Sequence, residues 1–155
     1  MISQDFFGLP PRLLLLAGLL LSGCQTPSQN RNAAGGLAAP IGIEAIDGVP
    51  PALQTGLRDG LAKGASQHGV KLTDHPDQAK LHLHGYMRVE RSNNEFEGIL
   101  VFDVFDAEQN RLQRLTSSIK RSKSSGLSVE SLMTPAEITQ LGETAMADLA
   151  AYLAP

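Results

Sequence analysis

From Leu81 onward the chain alternates without a break. Leu81, Leu83, Gly85, Met87 and Val89 fall on one side, and His82, His84, Tyr86, Arg88 and Glu90 on the other. Successive side chains of a strand point to opposite faces, so this pattern predicts a strand with one buried and one polar face. The next run, Phe96 to Phe105, is apolar on both faces around Ile99-Leu100-Val101-Phe102, which predicts a central, well-covered strand. Arg91-Ser92-Asn93-Asn94-Glu95 joins the two as a hairpin. Asp106-Ala107-Glu108-Gln109-Asn110 turns into a third strand, Arg111 to Arg121, with apolar points at Leu112, Leu115 and Ile119. A meander with one apolar face needs a covering layer from elsewhere in the chain.

Two helices supply that layer. Leu53, Leu57, Leu61 and Ala65 recur every four residues after Val49-Pro50-Pro51, and Gly69 stands where a helix-ending glycine belongs. Gly56, Gly60 and Gly64 form a second row, read as close packing of this helix on a sheet. Thr134-Pro135-Ala136-Glu137 fits a capping box that opens a last helix, with Ile138, Leu141, Ala145, Leu149, Tyr152 and Leu153 on its apolar side. Ile41-Gly42-Ile43-Glu44-Ala45 and Val70-Lys71-Leu72-Thr73 read as further strands, and Asp74-His75-Pro76-Asp77 as a loop. The predicted class is α+β. It is a two-layer domain of order β-α-β-β-β-β-α, with a mostly antiparallel sheet of about four to five strands and two helices on one face.

The N-terminus follows different rules. Leu13 to Leu21 is an unbroken apolar run preceded by Arg12, with Asp5 the opposing charge. It is far short of the ~20 residues that span a bilayer as a helix and has the length of a signal-peptide core. Leu21-Ser22-Gly23-Cys24 ends it and resembles the lipobox of bacterial lipoproteins. That resemblance implies cleavage before Cys24, a diacylglycerol on its sulfur, and a further acyl chain such as palmitate on its amino group. Each buried CH₂ contributes about 0.8 kcal/mol, so three chains anchor a protein without a transmembrane helix. In the family sorting rule, Gln25 after the cysteine points to the outer membrane. The organisation expected is a signal peptide over 1–23, a lipidated cysteine and flexible tether over 24–38, and a globular α+β domain over 39–155.

Cys24 is the only cysteine, so neither disulfides nor cysteine-based zinc or nucleophile sites are expected. The fold must stand on its apolar core. A formal charge of −3 argues against a nucleic-acid partner, and the absence of tryptophan against an aromatic sugar platform.

Several segments of the domain resemble a group of small alphaproteobacterial, rhizobial-type envelope lipoproteins of unassigned activity. They are Ile46-Asp47-Gly48-Val49-Pro50, Leu83-His84-Gly85-Tyr86, Phe102-Asp103-Val104-Phe105-Asp106 and Asn110-Arg111-Leu112-Gln113-Arg114. The chain departs from that pattern at Phe102, where the group often has tryptophan, and at Ser128-Val129-Glu130, where it has Asp-Pro-Trp. The element order is also similar to the lipopolysaccharide-assembly lipoproteins and to the N-terminal domain of TolB, an architectural likeness that carries little function.

The candidate chemistry is sparse. His82 and His84 lie two apart on one strand face, a spacing at which both can reach one zinc ion, with His75 or His68 as a distant third ligand. The reading taken is a pair of polar strand residues, solvent-facing or helix-covered, and no metal or cofactor is expected. Asp103 lies within the most apolar strand and must be paired, with Arg111 or Arg114 as the natural partner. Arg111, Arg114, Lys120, Arg121 and Lys123 are the one basic concentration, read as an ordinary solvated strand, with acidic lipid headgroups, lipopolysaccharide phosphate or an acidic partner as the alternative. Ser117-Ser118-Ile119-Lys120 has Ser-x-x-Lys spacing but falls in a strand, where that set cannot assemble. The function expected is a lipid-anchored, non-enzymatic binding or assembly module with an envelope protein or lipopolysaccharide as partner. The alternative is a binder of a small ligand or lipid between helices and sheet.

Overall fold

The structure, a computed structural model, describes residues 36–91, 95–122 and 133–155. The expected signal peptide over 1–23, Cys24, most of the expected tether, residues 92–94 and the serine-rich segment 123–132 with Lys123 lie outside the described residues. Five strands and two helices follow in the expected order: β1 (Pro40–Asp47), α1 (Pro51–His68), β2 (Lys71–Thr73), β3 (Leu81–Arg91), β4 (Glu95–Asp106), β5 (Arg111–Ser122) and α2 (Pro135–Leu153). A single turn of 3₁₀ helix, Pro76–Gln78, links β2 to β3.

The strands form one mixed sheet in the order β2-β1-β3-β4-β5. The ladders β3–β4 and β4–β5 are long and antiparallel, and those joining β1 to β2 and to β3 are shorter and parallel. The β4–β5 turn forms as its residues dictate. Asp106 accepts hydrogen bonds from the backbone N–H and the side-chain amide of Asn110, and Gln109 takes the left-handed conformation that closes the loop.

Both helices pack on one face. Ile41, Leu81, Leu83, Met87, Leu100, Phe102 and Val104 meet Leu53, Leu57, Leu61, Ile138, Leu141, Met146 and Leu149 in one core. Gly69 ends α1 in the left-handed conformation that glycine adopts without a Cβ penalty, and its N–H closes on the Ala65 carbonyl. Thr134 and Glu137 make the reciprocal capping box of α2.

The glycine row of α1 does not face the sheet, as the sequence suggested. It faces α2. A Cβ on Gly60 would stand 2.1 Å from the Thr139 carbonyl oxygen, one on Gly64 2.8 Å from the Glu143 Cα, and one on Gly142 2.8 Å from the Leu61 nitrogen. Glycines on both partners let the two backbones approach until Thr139 Oγ1 donates to the Gly56 carbonyl at 3.0 Å. Lys63 and Glu143 close the rim of this seam at 2.8 Å.

Candidate functional site

The second face of the sheet carries no helix among the described residues. Register places a row of ionisable groups across it: Asp47 pairs along β1 with Tyr86, and His84 of β3 stands opposite Asp103 of β4, itself opposite Arg114 of β5. Asp103 is 4 % exposed. Arg114 grips it with both arms of its fork, Nε on Oδ1 at 2.8 Å and Nη2 on Oδ2 at 2.6 Å, while Arg111 Nη1 lies 3.8 Å away. The Arg114 hydrogen bonds hold the Asp103 carboxyl below its ordinary range against the opposing pull of burial, and Asp103 in turn raises Arg114. The expected partnership of a buried aspartate with the neighbouring strand's arginines is therefore met.

The histidines part company. His84 Nε2 lies 3.2 Å from Asp47 Oδ2, and its ring stacks flat on Tyr86 with centroids 4.9 Å apart. Tyr86, 41 % exposed, is the large apolar side chain this face shows to solvent among the described residues. His82, by contrast, is only 9 % exposed, neither solvent-facing nor under a helix. Its Nδ1 lies 3.0 Å from Glu44 Oε1, close enough for an ion pair with a protonated ring but at an angle that makes no hydrogen bond. Each ring thus has its own carboxylate rather than sharing a ligand. Among the described residues no three of His, Cys, Asp and Glu converge as a metal site.

The basic concentration is partly neutralised from within. Arg111 and Arg114 attend Asp103, and Arg121 Nε reaches Glu137 of α2 at 3.5 Å. Lys120 stays exposed on the bare face, opposite Glu97. Ser117 points the other way, is buried, and donates to Asp148 of α2. Strand geometry therefore separates the Ser-x-x-Lys pair onto opposite faces. The Ser117–Asp148 bond had no sequence signal, because it joins two elements far apart in the chain.

A cleft of about 840 Å³ opens where α1 overhangs the β1–β2 side of the sheet. Ile43, Ile46, Leu57, Leu61 and Leu72 give it apolar walls, and Gln54, Arg58 and Asp74 polar lips. Its size suits a small ligand or a short peptide. The glycines of α1, which the sequence offered as the source of such room, are filled by α2. The space comes instead from the shortness of β2.

No protein-family model and no curated protein sequence matches the chain. Among solved structures it is similar to the PelC dodecamer from Paraburkholderia phytofirmans, at 14 % identity and a TM-score of 0.47 over 79 % of this chain and 91 % of that one. It is also similar to a protein from Caulobacter crescentus CB15 provisionally described as a lipoprotein, at 16 % identity and a TM-score of 0.38 over 77 % of this chain and 88 % of that one.

Proposed function

We propose that this chain is a lipid-anchored, periplasm-facing protein of the bacterial outer membrane whose α+β domain binds another envelope component and carries out no catalysis. The observation that carries the reading is Leu21-Ser22-Gly23-Cys24 at the end of an apolar run too short to span a bilayer. Among the described residues no helix is long and apolar enough to cross a membrane. Binding is favoured over chemistry by how the polar side chains are engaged. Asp103 holds Arg114, His84 holds Asp47 and Ser117 holds Asp148, so these groups brace strands and layers. Among the described residues no hydrogen bond joins either histidine–carboxylate pair to a hydroxyl or amine side chain that would complete a nucleophilic set. A second reading, a small ligand between helix and sheet, is favoured by the cleft under α1.

The test is fractionation. The parent should sediment with membranes and band with the outer membrane on a density gradient, and Cys24→Ser should move to the soluble periplasmic fraction. A Cys24→Ser protein that sediments like the parent would show the anchor to be elsewhere.

A further inference from the structure

We infer that the cleft beside β1 receives an extended peptide, which adds to the sheet next to Ile43–Asp47 and places a carboxylate side chain against Arg58. This deepens the binding reading and rests on it only in taking the domain to be a binder.

The two edges of β1 have different histories. Along one, β3 pairs with it as far as Asp47; along the other, β2 pairs only from Pro40 to Gly42. After Thr73 the chain bends off into the Pro76–Gln78 turn and crosses to start β3, with Ala79 packed at Gly42 and the Lys80 N–H on the Pro40 carbonyl. Beyond Gly42 that edge of β1 has no strand partner among the described residues. Consecutive residues Gly42, Ile43, Glu44, Ala45 and Ile46 all line the cleft, as a strand does when its edge, rather than one face, looks into a space. A strand edge offers backbone donors and acceptors in a row, and an extended backbone is what satisfies them.

The surroundings select among occupants. Leu57 and Leu61 of α1 and Leu72 of β2 wall the space, so alternate side chains of an added strand meet apolar surface. α1 overhangs the edge, and a register shift between Ile43 and Ala45 bends it. Both features oppose edge-to-edge pairing with a whole second sheet and leave room for one narrow chain. Five residues of free edge correspond to roughly 16 Å of extended peptide. Charge sets the last requirement. Glu44 is drawn to His82, and the unpaired charges at the lips are Arg58 on α1 and Asp74 past the end of β2. Arg58, exposed on the helix that roofs the site, makes no ion pair among the described residues and is the complement of a carboxylate on the incoming strand.

The experiment uses the full chain carrying Cys24→Ser and a fluorescein-labelled, terminally blocked heptapeptide, Thr-Val-Thr-Glu-Thr-Val-Thr, titrated by anisotropy. Binding should saturate, and amides within residues 43–47 should exchange more slowly in the complex. Arg58→Glu should weaken binding at least tenfold, and lysine in place of the peptide's glutamate should restore it on that variant. Absent saturation, unchanged exchange at 43–47, or equal binding by Arg58→Glu each overturn the inference. So does saturable binding of decanoate without binding of the peptide, which would make the cleft an amphiphile pocket. Membrane fractionation does not depend on Arg58, so failure here leaves the anchoring reading standing, and failure there leaves this titration valid.

Discussion

The two faces of this sheet are held by different forces. Toward the helices the molecule is fixed by volume: a continuous apolar core, and above it a helix seam so close that glycines on both helices leave no space for a Cβ. On the bare face it is fixed by charge: Arg114 on Asp103, His84 on Asp47 and His82 near Glu44, each pair joining neighbouring or next-neighbour elements. Close packing resists substitution regardless of pH or salt, whereas paired charges answer to both. The difference teaches where this domain tolerates change. It also provides the means of testing whether each face has been assigned its proper force.

The largest effect is expected at the seam. Gly60→Ala places a methyl group against the Thr139 backbone, which cannot move without shifting α2. Overpacking of this kind costs about 1–3 kcal/mol and sometimes more, and alanine regains only about 1 kcal/mol in helix propensity. A net loss of about 2 kcal/mol in urea unfolding, unchanged by salt, is expected for the full chain carrying Cys24→Ser. Gly98→Ala is the control within the same face. Its Cβ would crowd the thioether end of Met133, which can swing aside, and meet Leu141 at an ordinary 3.7 Å, so a change within about 0.5 kcal/mol is expected. Equal losses at the two glycines would show that backbone approach is not what makes the seam tight.

The ion pair should then fail asymmetrically. Removing Arg114 strands a buried carboxylate, with Arg111 at 3.8 Å as its remaining partner, whereas removing Asp103 strands a guanidinium that is 55 % exposed and already reaches water. Arg114→Ala should therefore lower the unfolding midpoint more than Asp103→Asn. Because the arginine is half exposed, solvent screens the pair, and both losses should stay below the loss at the seam. The pH dependence fixes the sign. The Asp103 carboxyl is lowered in the folded state, so the unfolded chain binds its proton first as pH falls. The pair's contribution is complete above the ordinary aspartate value of about 3.9 and is lost as pH falls through the lowered folded value. Asp103→Asn should remove that segment of the acid-stability curve. A variant whose curve overlays the parent's would show that the bare face is not held by this charge.

Much of the fold was legible because it rests on period. Alternation announced β3, the fourfold repeat of leucines announced α1, and Thr134 to Glu137 announced the start of α2. The parallel pairing of β1 with both β2 and β3 was not legible, since a short strand such as Lys71–Thr73 carries too few residues to show which neighbour it chooses. Gly56, Gly60 and Gly64 signal close approach, but the partner is α2 and not the sheet that the sequence suggests. A row of glycines reports that something comes near, and nothing in its spacing tells a helix from a sheet. The site was less legible still. Asp103 could be paired from its apolar setting, but the cleft depends on where β2 stops, and Arg58 becomes notable only once α1 is seen to overhang that gap.

The smallest expected effects separate two histidines that the sequence treats as equals. His82 and His84 share a strand face, and alternation alone would make both ordinary polar surface. Yet His82 is buried beside Glu44, while His84 lies partly open with Asp47 and Tyr86 around it. Truncating a buried side chain forfeits its packing, so His82→Ala should cost about 1–2 kcal/mol in urea unfolding at neutral pH. His84→Ala removes a stacked ring and a hydrogen bond that water can replace, so a change within about ±0.5 kcal/mol is expected. Added zinc should move neither midpoint, because each ring faces its own carboxylate and no third ligand joins them among the described residues. If zinc stabilises the parent and either substitution abolishes that gain, the two rings share an ion after all, and the charge-held face is a metal-held one.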